Sequence, residues 1–249
     1  MRIADELNLV ASLQFGLGGQ LDCHVYALRG EKGLVLIDAG AGHPIKPLLQ
    51  NVERELPGET VVALLLTHGH LDHCGGASQI REAYGCKVIA PAVCQPILES
   101  GDEAAIGLRR AREQGIYPAD YRLRPCPVDQ GVSDGETFTA AGIQFTALHI
   151  RGHSPDSFCY YTQMRSEKWL FAGDVVFYGG VLGVINADGS GMEGYRKDLP
   201  KLSGLEIDGL FPGHGIFTLR GGQRHIDCAI RRLEEGFLGR QIGQGDVLF

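Results

Sequence analysis

The sequence predicts a layered α/β fold. Apolar runs of strand length recur along its 249 residues, and hydrophobic residues make up 44% of the chain, enough for a sizeable core. Helical stretches separate several of these runs, and this alternation is typical of α/β folds. Turns rich in glycine or in histidine and aspartate follow the runs, at the strand ends where such folds assemble their sites. We expect residues 1–249 to form a single domain.

Each predicted strand and helix follows from a local signal in the sequence. The first two strands flank the hairpin signal Arg29-Gly30-Glu31-Lys32-Gly33. The next strand is a continuous apolar run, as expected for a strand buried on both faces. A helix and a short strand come after it, and a strand-rich region with one last helix completes the chain. The predicted strands are 25–28, 34–37, 61–66, 87–90, 143–148, 158–162, 169–172 and 209–211, and the predicted helices are 77–84, 103–114 and about 223–235.

Residues 92–127 interrupt the alternation of strands and helices. They hold one moderately amphipathic stretch with proline and glycine around it, which we interpret as a helical cap inserted into the domain. A cap of this kind would form pocket walls and so determine specificity. Arg109, Arg110 and Arg112 lie close together on its helix. They either face an acidic substrate or form a solvated helix face, which is the commoner arrangement.

Composition argues against several classes of function. The formal net charge is −7 and the chain has no run of Lys or Arg, which argues against a nucleic-acid partner. Asp5 and Glu6 interrupt the start, so no secretory signal is expected, and no apolar stretch approaches the roughly 20 residues that cross a bilayer. The seven cysteines form no CxxC pair and indicate buried thiols in a reducing compartment. We expect a cytoplasmic protein with a small-molecule substrate and no membrane partner.

Residues 67–76 read THGHLDHCGG and carry the strongest functional signal. Three histidines and an aspartate within six residues, placed after an apolar run, are costly to bury unless a cation compensates for them. His68 and His70 are two positions apart, so an extended chain projects both side chains from one face toward one metal ion. Asp72 and His73 follow where a helix should begin, and they point elsewhere, toward a second ion.

Three further candidates each follow the end of an apolar strand, and they are His153, Asp174 and His214. Each has an ordinary structural interpretation. Asp174 can be a helix N-cap or a turn carboxylate, His153 can cap a turn, and His214 can be a turn residue between two glycines. Four separate segments nevertheless place such residues at equivalent positions, which favours one site assembled from loops at strand ends.

Taken together, these segments resemble the metallo-β-lactamase-fold hydrolase superfamily. THGHLDHCGG (67–76), RGHSPDS (151–157), FAGD (171–174) and PGHG (212–215) occur in that family's order, in the binuclear pattern shared by glyoxalase II and related lactonases. The resemblance implies a four-layer αββα sandwich with residues 92–127 as its cap. It also implies two divalent metal ions, zinc in the first place and iron or manganese as alternatives.

The same resemblance implies a role for each ligand. One ion would be held by His68, His70 and His153, the second by Asp72, His73 and His214, and Asp174 would bridge both. A water shared by the two ions would be acidified to hydroxide and would attack an ester-like bond in a thioester, lactone or carboxylic ester. Asp72 is a catalytic candidate as well as a ligand. Tyr178, four residues after Asp174, is the other, because its phenol can donate to the substrate carbonyl or to the leaving group.

Other polar residues are weaker candidates. His24 is a candidate for supporting the site or contacting the substrate, and Ser154 and Asp156 are candidates for orienting His153. Tyr178 has the alternative of a buried aromatic residue with a satisfied hydroxyl group. We expect His149 in the core or behind a ligand, Cys74 as a small residue that opens a helix, and His43 and His225 on the surface.

Several functional alternatives stay open at this point. The main one is a mononuclear iron oxidoreductase of the persulfide dioxygenase type. In it, one iron ion would be held by His68, His70 and His153. A non-catalytic member of the family is another. Glyoxalase II proper and true β-lactamases fit less well, because the segment after His214 is enough only for one helix and a tail, and because β-lactamases lack a bridging carboxylate at the position of Asp174. Substrate, native metal and oligomeric state, monomer or homodimer, stay open.

Overall fold

A six-stranded mixed sheet forms the first of the two units into which the chain divides, residues 1–132 together with 140–142. The computed structural model describes residues 1–236. Strands β1 to β3 are antiparallel neighbours, whereas β3 to β6 run parallel. In order across the sheet the strands are β1 (Leu7–Ala11), β2 (Val25–Gly30), β3 (Gly33–Ile37), β4 (Val61–Leu65), β5 (Lys87–Pro91) and β6 (Gln130–Val132).

Helices of the first unit connect its parallel strands. The helix after β3 buries Leu48 and Val52, and the helix between β4 and β5 buries Ala77 and Ile80 in the same core as the strand residues. Strand β4 lies between two parallel neighbours, so its sequence is apolar throughout and does not alternate. The helices are α1 (Lys46–Glu55), α2 (Leu71–Cys74), α3 (Ala77–Tyr84), α4 (Gln95–Ser100) and α5 (Leu108–Glu113).

The second unit, residues 133–139 and 143–236, is built on a five-stranded sheet. Its order is β13 (Gly209–Pro212), β10 (Glu167–Gly173), β9 (Phe158–Met164), β8 (Ile143–His149) and β7 (Thr137–Ala140). Strand β9 is antiparallel to both β8 and β10, and β13 is parallel to β10. The carboxyl ends of β8, β10 and β13 therefore lie at one edge of the sheet.

Two helices and a small hairpin complete the second unit. The hairpin pairs β11 (Val176–Phe177) with β12 (Val181–Leu182), and the helices are α6 (Met192–Asp198) and α7 (Gln223–Glu234). Helix α7 places Ile226, Ala229 and Leu233 in the core beside Leu170 of β10 and Leu210 of β13. No helix among residues 1–236 is long and apolar enough to cross a membrane.

The elements predicted from hydrophobic pattern are confirmed in the main. Every predicted strand is present, and the helix predicted over 77–84 is α3. The predicted cap helix over 103–114 is wrong in its first half. Residues 101–107 are turns, because Gly101 and Gly107 adopt left-handed backbone conformations, and only Leu108–Glu113 is helical. The segment 92–127 thus carries two six-residue helices joined by turns, and its description as a cap and the single-domain assignment stay predictions.

Candidate metal centre

The first unit brings four of the predicted ligands together after strand β4. The chain bends at Thr67 and Gly69, is extended at His70, whose φ is −70° and ψ 145°, and then forms the single helical turn α2. His68 is fully buried, and its Nε2 lies 3.0 Å from Nδ1 of the half-buried His70. The two imidazoles lie together as predicted, although the segment between them bends at Gly69 and is not extended throughout.

Asp72 and His73 form a second pair on helix α2. His73 Nε2 lies 3.6 Å from Asp72 Oδ2, and the His73 ring is buried while the Asp72 side chain is 24% exposed. The His68 and His73 rings are 4.2 Å apart between centroids. Two ligand atoms bound to one tetrahedral zinc ion, with bonds of 2.0–2.2 Å, lie about 3.3–3.6 Å apart. The spacing within each pair is therefore that of two ligands on one ion.

Asp38, which the sequence analysis did not identify, holds this half of the site in place. It is buried directly after β3, and its Oδ2 lies 2.8 Å from His73 Nδ1. The Thr67 hydroxyl group lies 2.9 and 3.0 Å from the two Asp38 oxygens, and 3.0 Å from His68 Nδ1. Thr67 also donates its backbone N–H to Asp38 Oδ1 at 2.8 Å. One carboxylate therefore orients two predicted ligands, His73 directly and His68 through Thr67.

These hydrogen bonds determine which ring nitrogen of His68 and of His73 is available to a metal ion. A carboxylate only accepts hydrogen bonds, so His73 must donate from Nδ1, which leaves Nε2 of the neutral ring as a lone-pair donor. If the Thr67 hydroxyl donates to Asp38, it accepts from His68 Nδ1 in the same way. Neutral imidazole with a free Nε2 lone pair is the form that ligates zinc, iron or manganese. The donor set therefore fits a divalent metal ion.

Strand pairing explains how Asp38 reaches this position. Strands β3 and β4 are parallel neighbours with Ile37 opposite Leu65, so the residues that follow the two strands meet at the same sheet edge. The Asp38 N–H donates to the Leu65 carbonyl at 2.8 Å, and Asp38 has a positive φ of 64°. Aspartate tolerates this left-handed conformation better than most residues. A sequence signal existed, because Asp38 is a carboxylate directly after the apolar run 34–37.

Cys23 lies beside this cluster without the properties of a metal ligand. Its sulfur, an Asp38 oxygen and a His73 nitrogen lie within 4.8 Å of one another. Burial raises the pKa of the Cys23 thiol and outweighs the nearby His73, which lowers it. A buried neutral thiol is a poor ligand, since metals bind the thiolate. Within this cluster, the hydrogen bond between His73 Nδ1 and Asp38 Oδ2 supports the His73 ring.

The second unit brings the other three predicted ligands together at the common edge of β8, β10 and β13. Asp174 directly follows β10, and its Oδ2 lies 3.5 Å from His153 Nε2 and 3.6 Å from His214 Nε2. His153 and Asp174 are buried, and His214 is half-buried. One carboxylate oxygen thus faces the Nε2 atoms of two histidines at the spacing of neighbouring ligands, as a bridging aspartate requires.

A backbone carbonyl orients His153 in the same way that Asp38 orients His73. His153 Nδ1 donates to the Gly183 carbonyl oxygen at 2.5 Å, so its Nε2 is the lone-pair nitrogen. The Gly183 N–H in turn donates to the buried Tyr195 hydroxyl group at 3.1 Å, and that hydroxyl group lies 3.4 Å from the Asp174 carbonyl oxygen. Neither Gly183 nor Tyr195 was identified from the sequence, because neither lies near a motif.

The weaker candidates have mixed outcomes. Tyr178 is 41% exposed, so it is not the buried aromatic of the structural alternative, and its catalytic role stays a prediction. The Ser154 hydroxyl group contacts Asp156 Oδ1 at 2.6 Å within the loop that carries His153. His24 is fully buried, 5.7 Å from the Phe15 ring, and its role is untested.

Histidines outside the motifs were predicted less well. His43 is exposed as expected, and His149 stacks on Phe158 at 4.6 Å and contacts the Pro155 carbonyl oxygen at 2.7 Å. The surface prediction for His225 is wrong. His225 is buried because its position on α7 turns it toward the Tyr178–Gly180 turn, where its Nδ1 accepts the Gly179 N–H at 3.0 Å. Cys74 is buried, as a small residue in helix α2, and its thiol donates to the Gly69 carbonyl at 3.3 Å.

Known proteins share both sequence and fold with this chain. The family model of the metallo-beta-lactamase superfamily matches residues 18–214. An atrochrysone carboxyl ACP thioesterase of Aspergillus fumigatus is 28% identical over 213 residues, which are 83% of this chain and 56% of that protein. The hydroxyacylglutathione hydrolase GloC of Haemophilus influenzae is 34% identical over 152 residues, 61% of this chain and 65% of that protein. The chain thus spans less than two thirds of the length of either relative.

A solved structure extends the likeness to nearly the whole chain. BJP-1, a subclass B3 metallo-beta-lactamase of Bradyrhizobium japonicum, superposes with a TM-score of 0.70 at 21% identity, and the match covers 95% of this chain and 90% of that chain. At this identity the match establishes a shared fold and says nothing about the substrate. The fold predicted from the sequence is confirmed.

Proposed function

Because this chain belongs to the metallo-beta-lactamase superfamily, we propose that it is a dinuclear metal-dependent hydrolase that cleaves an ester-like bond. The superfamily consists mainly of metal-dependent hydrolases, and the similar proteins include a hydroxyacylglutathione hydrolase and a β-lactamase. The observation that carries the proposal is the retention of all seven predicted ligands, two of which, His73 and His153, donate from Nδ1 to a protein acceptor and so present Nε2. A member that had lost catalysis would have no reason to keep this arrangement.

The proposed ligand assignment follows the family pattern. His68 and His70 are assigned with His153 to one ion, and Asp72 and His73 are assigned with His214 to the other, with Asp174 between the ions. In support, the paired donor atoms within each unit already have ligand spacing, and Asp174 Oδ2 faces one histidine from each proposed group. When bound, the two ions would supply an acidified water and polarise the carbonyl that is attacked.

The chain's own residues contribute orientation and proton transfer. Asp38 and the Gly183 carbonyl hold His73 and His153 in one tautomer, so that the ligands do not have to reorganise during the reaction. Asp72 is the proposed carboxylate nearest the attacked carbonyl, and Tyr178 is the proposed donor to the leaving group. The exposure of Tyr178 supports this role, because an exposed phenol is accessible to a substrate.

Among ester-like bonds we rank thioesters first. One of the similar proteins is named a thioesterase, and its match covers 83% of this chain at 28% identity. Lactones and carboxylic esters react at the same kind of carbonyl and stay as further candidates.

The decisive experiment is a hydrolysis screen on protein of measured metal content. Thioesters, lactones, carboxylic esters, phosphoesters and β-lactams would be offered to the enzyme after inductively coupled plasma mass spectrometry. We expect about two ions per chain and turnover of at least one ester-like class. One iron per chain with oxygen consumption on a persulfide would instead establish the mononuclear oxidoreductase.

Two variants test the proposed roles within that screen. Asp174→Ala should abolish hydrolysis and reduce bound metal, and two retained ions with full activity would refute the bridging role. Tyr178→Phe should lower kcat more than it raises KM, because a leaving-group donor acts in the transition state. Unchanged kinetics in Tyr178→Phe would assign Tyr178 to the surface alone.

A further inference from the structure

The first unit contains a cavity of about 720 Å³ that the metal chemistry does not explain. One wall is formed by Gln20 and Leu21 with His43 and Pro44, and the other by Arg112 and residues 115–119 of the 92–127 segment. Cavities of 300–1,000 Å³ are the size that binds small organic ligands. The volume is therefore sufficient for a substantial part of a substrate.

Residues next to each wall of this cavity, which do not line it themselves, contact the segment 72–75 that carries Asp72. On one side, the Cys23 N–H, two residues after Leu21, donates to the Asp72 carbonyl oxygen at 3.3 Å. On the other side, the Tyr117 ring lies 5.2 Å from the Tyr121 ring. The Tyr121 hydroxyl group donates to the Ala41 carbonyl at 2.6 Å and packs so closely on Gly75 that a Cβ there would lie 2.2 Å from it.

The Tyr117 phenol, which lines the cavity, lies within electrostatic reach of Asp72. Burial, and after it the negative charge of Asp72, raise the pKa of the Tyr117 phenol. A group bound against Tyr117 would therefore lie next to the helical turn that presents Asp72 and His73.

The walls are mostly apolar, and their one permanent charge is already paired. Leu21, Pro44, Ile116, Tyr117, Pro118 and Ala119 line the cavity, and Ile116 is 55% exposed. Arg112 is the only Lys, Arg, Asp or Glu among the described residues that line it. Its guanidinium group donates to Glu103 Oε2 and to the Tyr121 carbonyl oxygen, both at 2.7 Å. No uncompensated Lys or Arg is therefore available in this lining for an anionic ligand.

We propose that this cavity binds the apolar acyl chain of the substrate, so that the enzyme prefers acyl thioesters or esters with an aliphatic or aromatic chain of medium length. This inference rests on the proposed hydrolase function. The acyl chain is the proposed occupant because the leaving part of a biological thioester is polar and often anionic, and this lining would not compensate its charge. A glutathione thioester, with two carboxylates in its leaving group, fits the cavity poorly for the same reason.

The test is a chain-length series on the metal-loaded enzyme. Acetyl, butanoyl, hexanoyl and octanoyl thioesters of N-acetylcysteamine would be compared with S-lactoylglutathione. Each buried methylene group is worth about 0.8 kcal/mol, which is about fourfold in kcat/KM. We expect octanoyl to exceed butanoyl at least tenfold, and S-lactoylglutathione to be the poorer substrate. A flat series, or a preference for S-lactoylglutathione, would overturn the inference.

A matched pair of variants assigns the preference to this cavity. Ala119→Trp fills the cavity and should reduce the octanoyl-to-butanoyl ratio at least tenfold while butanoyl hydrolysis persists. Ala104→Trp is the control, because Ala104 is exposed on the same 92–127 segment and does not line the cavity. Equal ratios in the two variants would contradict the proposal.

A binding measurement separates this inference from the proposed function. An octanoyl ketone analogue, with CH₂ in place of the thioester sulfur, would be titrated by calorimetry into the wild type and both variants. The wild type and Ala104→Trp should bind it at least tenfold more tightly than Ala119→Trp. No hydrolysis of any thioester, lactone or carboxylic ester together with this binding pattern would refute the hydrolase proposal and keep the acyl cavity. Equal binding by all three proteins would refute the cavity whatever the activity.

Discussion

At the scale of single residues, the histidine ligands depend on groups that never touch a metal. The buried carboxylate of Asp38 contacts His73 directly and His68 through Thr67, and the Gly183 carbonyl plays the same part for His153. Such partners fix the tautomer and the direction of a ligand, and their loss commonly weakens metal affinity 10- to 100-fold. We therefore expect the strength of metal binding to depend on Asp38 as well as on the predicted ligands.

We predict that Asp38→Ala lowers metal affinity about 10- to 100-fold. The variant leaves the buried His73 Nδ1–H without its acceptor, which costs about 1–3 kcal/mol of folding stability. Competition with a chromophoric chelator measures the affinity. Thr67→Val should weaken affinity less, since it cuts only the His68 branch, and Thr67→Ser is the control because it keeps the hydroxyl group. An affinity of Asp38→Ala equal to that of the wild type would contradict this role.

The residues that the sequence analysis found and missed differ in a physical way. The decade 67–76 was conspicuous because imidazole and carboxylate groups are rarely clustered without a cation. Asp38 is a single carboxylate after an apolar strand. It reaches Thr67 and His73 only because β3 pairs with β4, and the sequence does not state which strands are paired. Gly183 contributes only its backbone carbonyl, a group that every residue possesses. No pattern of residue types can therefore identify it.

At the scale of elements, Gly183, the residue after β12, has no room for a side chain. A Cβ on Gly183 would lie 1.9 Å from the Asp174 carbonyl oxygen and 2.9 Å from His153 Nδ1. The close approach of two backbone segments here explains why glycine is required, independent of any unusual dihedral angle.

We predict that Gly183→Ala destabilises the fold by about 3 kcal/mol, the upper range for overpacking, and impairs metal binding. Gly191→Ala is the matched control in the same unit, because a Cβ there would have no neighbour within 4 Å. Its effect should stay within about 0.5 kcal/mol. Urea unfolding of the metal-free proteins measures both. If the two variants unfold at the same urea concentration, the steric interpretation is wrong.

Helix α7 fixes the turn that carries Tyr178. His225 Nδ1 accepts the Gly179 N–H at 3.0 Å, its ring lies 4.2 Å from the Tyr178 ring, and Arg232 donates to the Gly179 carbonyl at 3.0 Å. Burial, and after it the charge of Arg224, lower the pKa of His225. The neutral ring is the form that can accept from Gly179, so the turn is held by uncharged histidine.

A pH dependence of stability follows from this arrangement. Since the pKa of His225 is lowered on folding, the unfolded chain binds more protons below about pH 6.5, and the free energy of unfolding should fall as the pH decreases through that range. Above that pH, His225 adds no dependence. His225→Asn keeps an acceptor without a titrating group, so metal-free His225→Asn should lose less stability between pH 7.5 and pH 5.5 than the metal-free wild type. Equal losses would remove His225 from this role.

Strands were predicted more reliably than short helices and short strands. Runs such as 61–66 combine length with uninterrupted apolar character, which few other structures can satisfy. Strands β11 and β12 have two residues each, and their formation depends on α7 packing beside them rather than on their own sequence. The helical segments 95–100 and 108–113 are also too short to form alone, so their formation depends on the surrounding structure.

At the scale of the whole molecule, the ligands are divided between sequence regions that belong to two units. Residues 68–73 belong to the first unit, and His153, Asp174 and His214 belong to the second. Metal that binds the native chain and not the unfolded chain stabilises the native chain by mass action. A cytoplasmic location and the lack of a nucleic-acid partner stay predictions from composition, and the choice between monomer and homodimer stays open.

We predict that metal removal lowers the melting temperature. At a free metal concentration 100 times the dissociation constant, each site adds about 2.7 kcal/mol to the free energy of unfolding. Differential scanning calorimetry with and without a chelator measures the change, and readdition of zinc, iron or manganese should restore it in the order of affinity. A melting temperature that no ion changes would contradict the existence of the site.

The contacts of Asp38 have a consequence for the order in which ions bind. Under the proposed assignment, His68 serves one ion and His73 the other, yet both rings are oriented by the same carboxylate. An ion that draws His73 into place also fixes Asp38 and Thr67, and so prepares His68 before its own ion arrives. Occupancy of either position must then favour the other by the same factor, since coupling between binding equilibria is reciprocal. This coupling opposes the mutual repulsion of two neighbouring cations, so the second ion would bind more tightly than it would without Asp38.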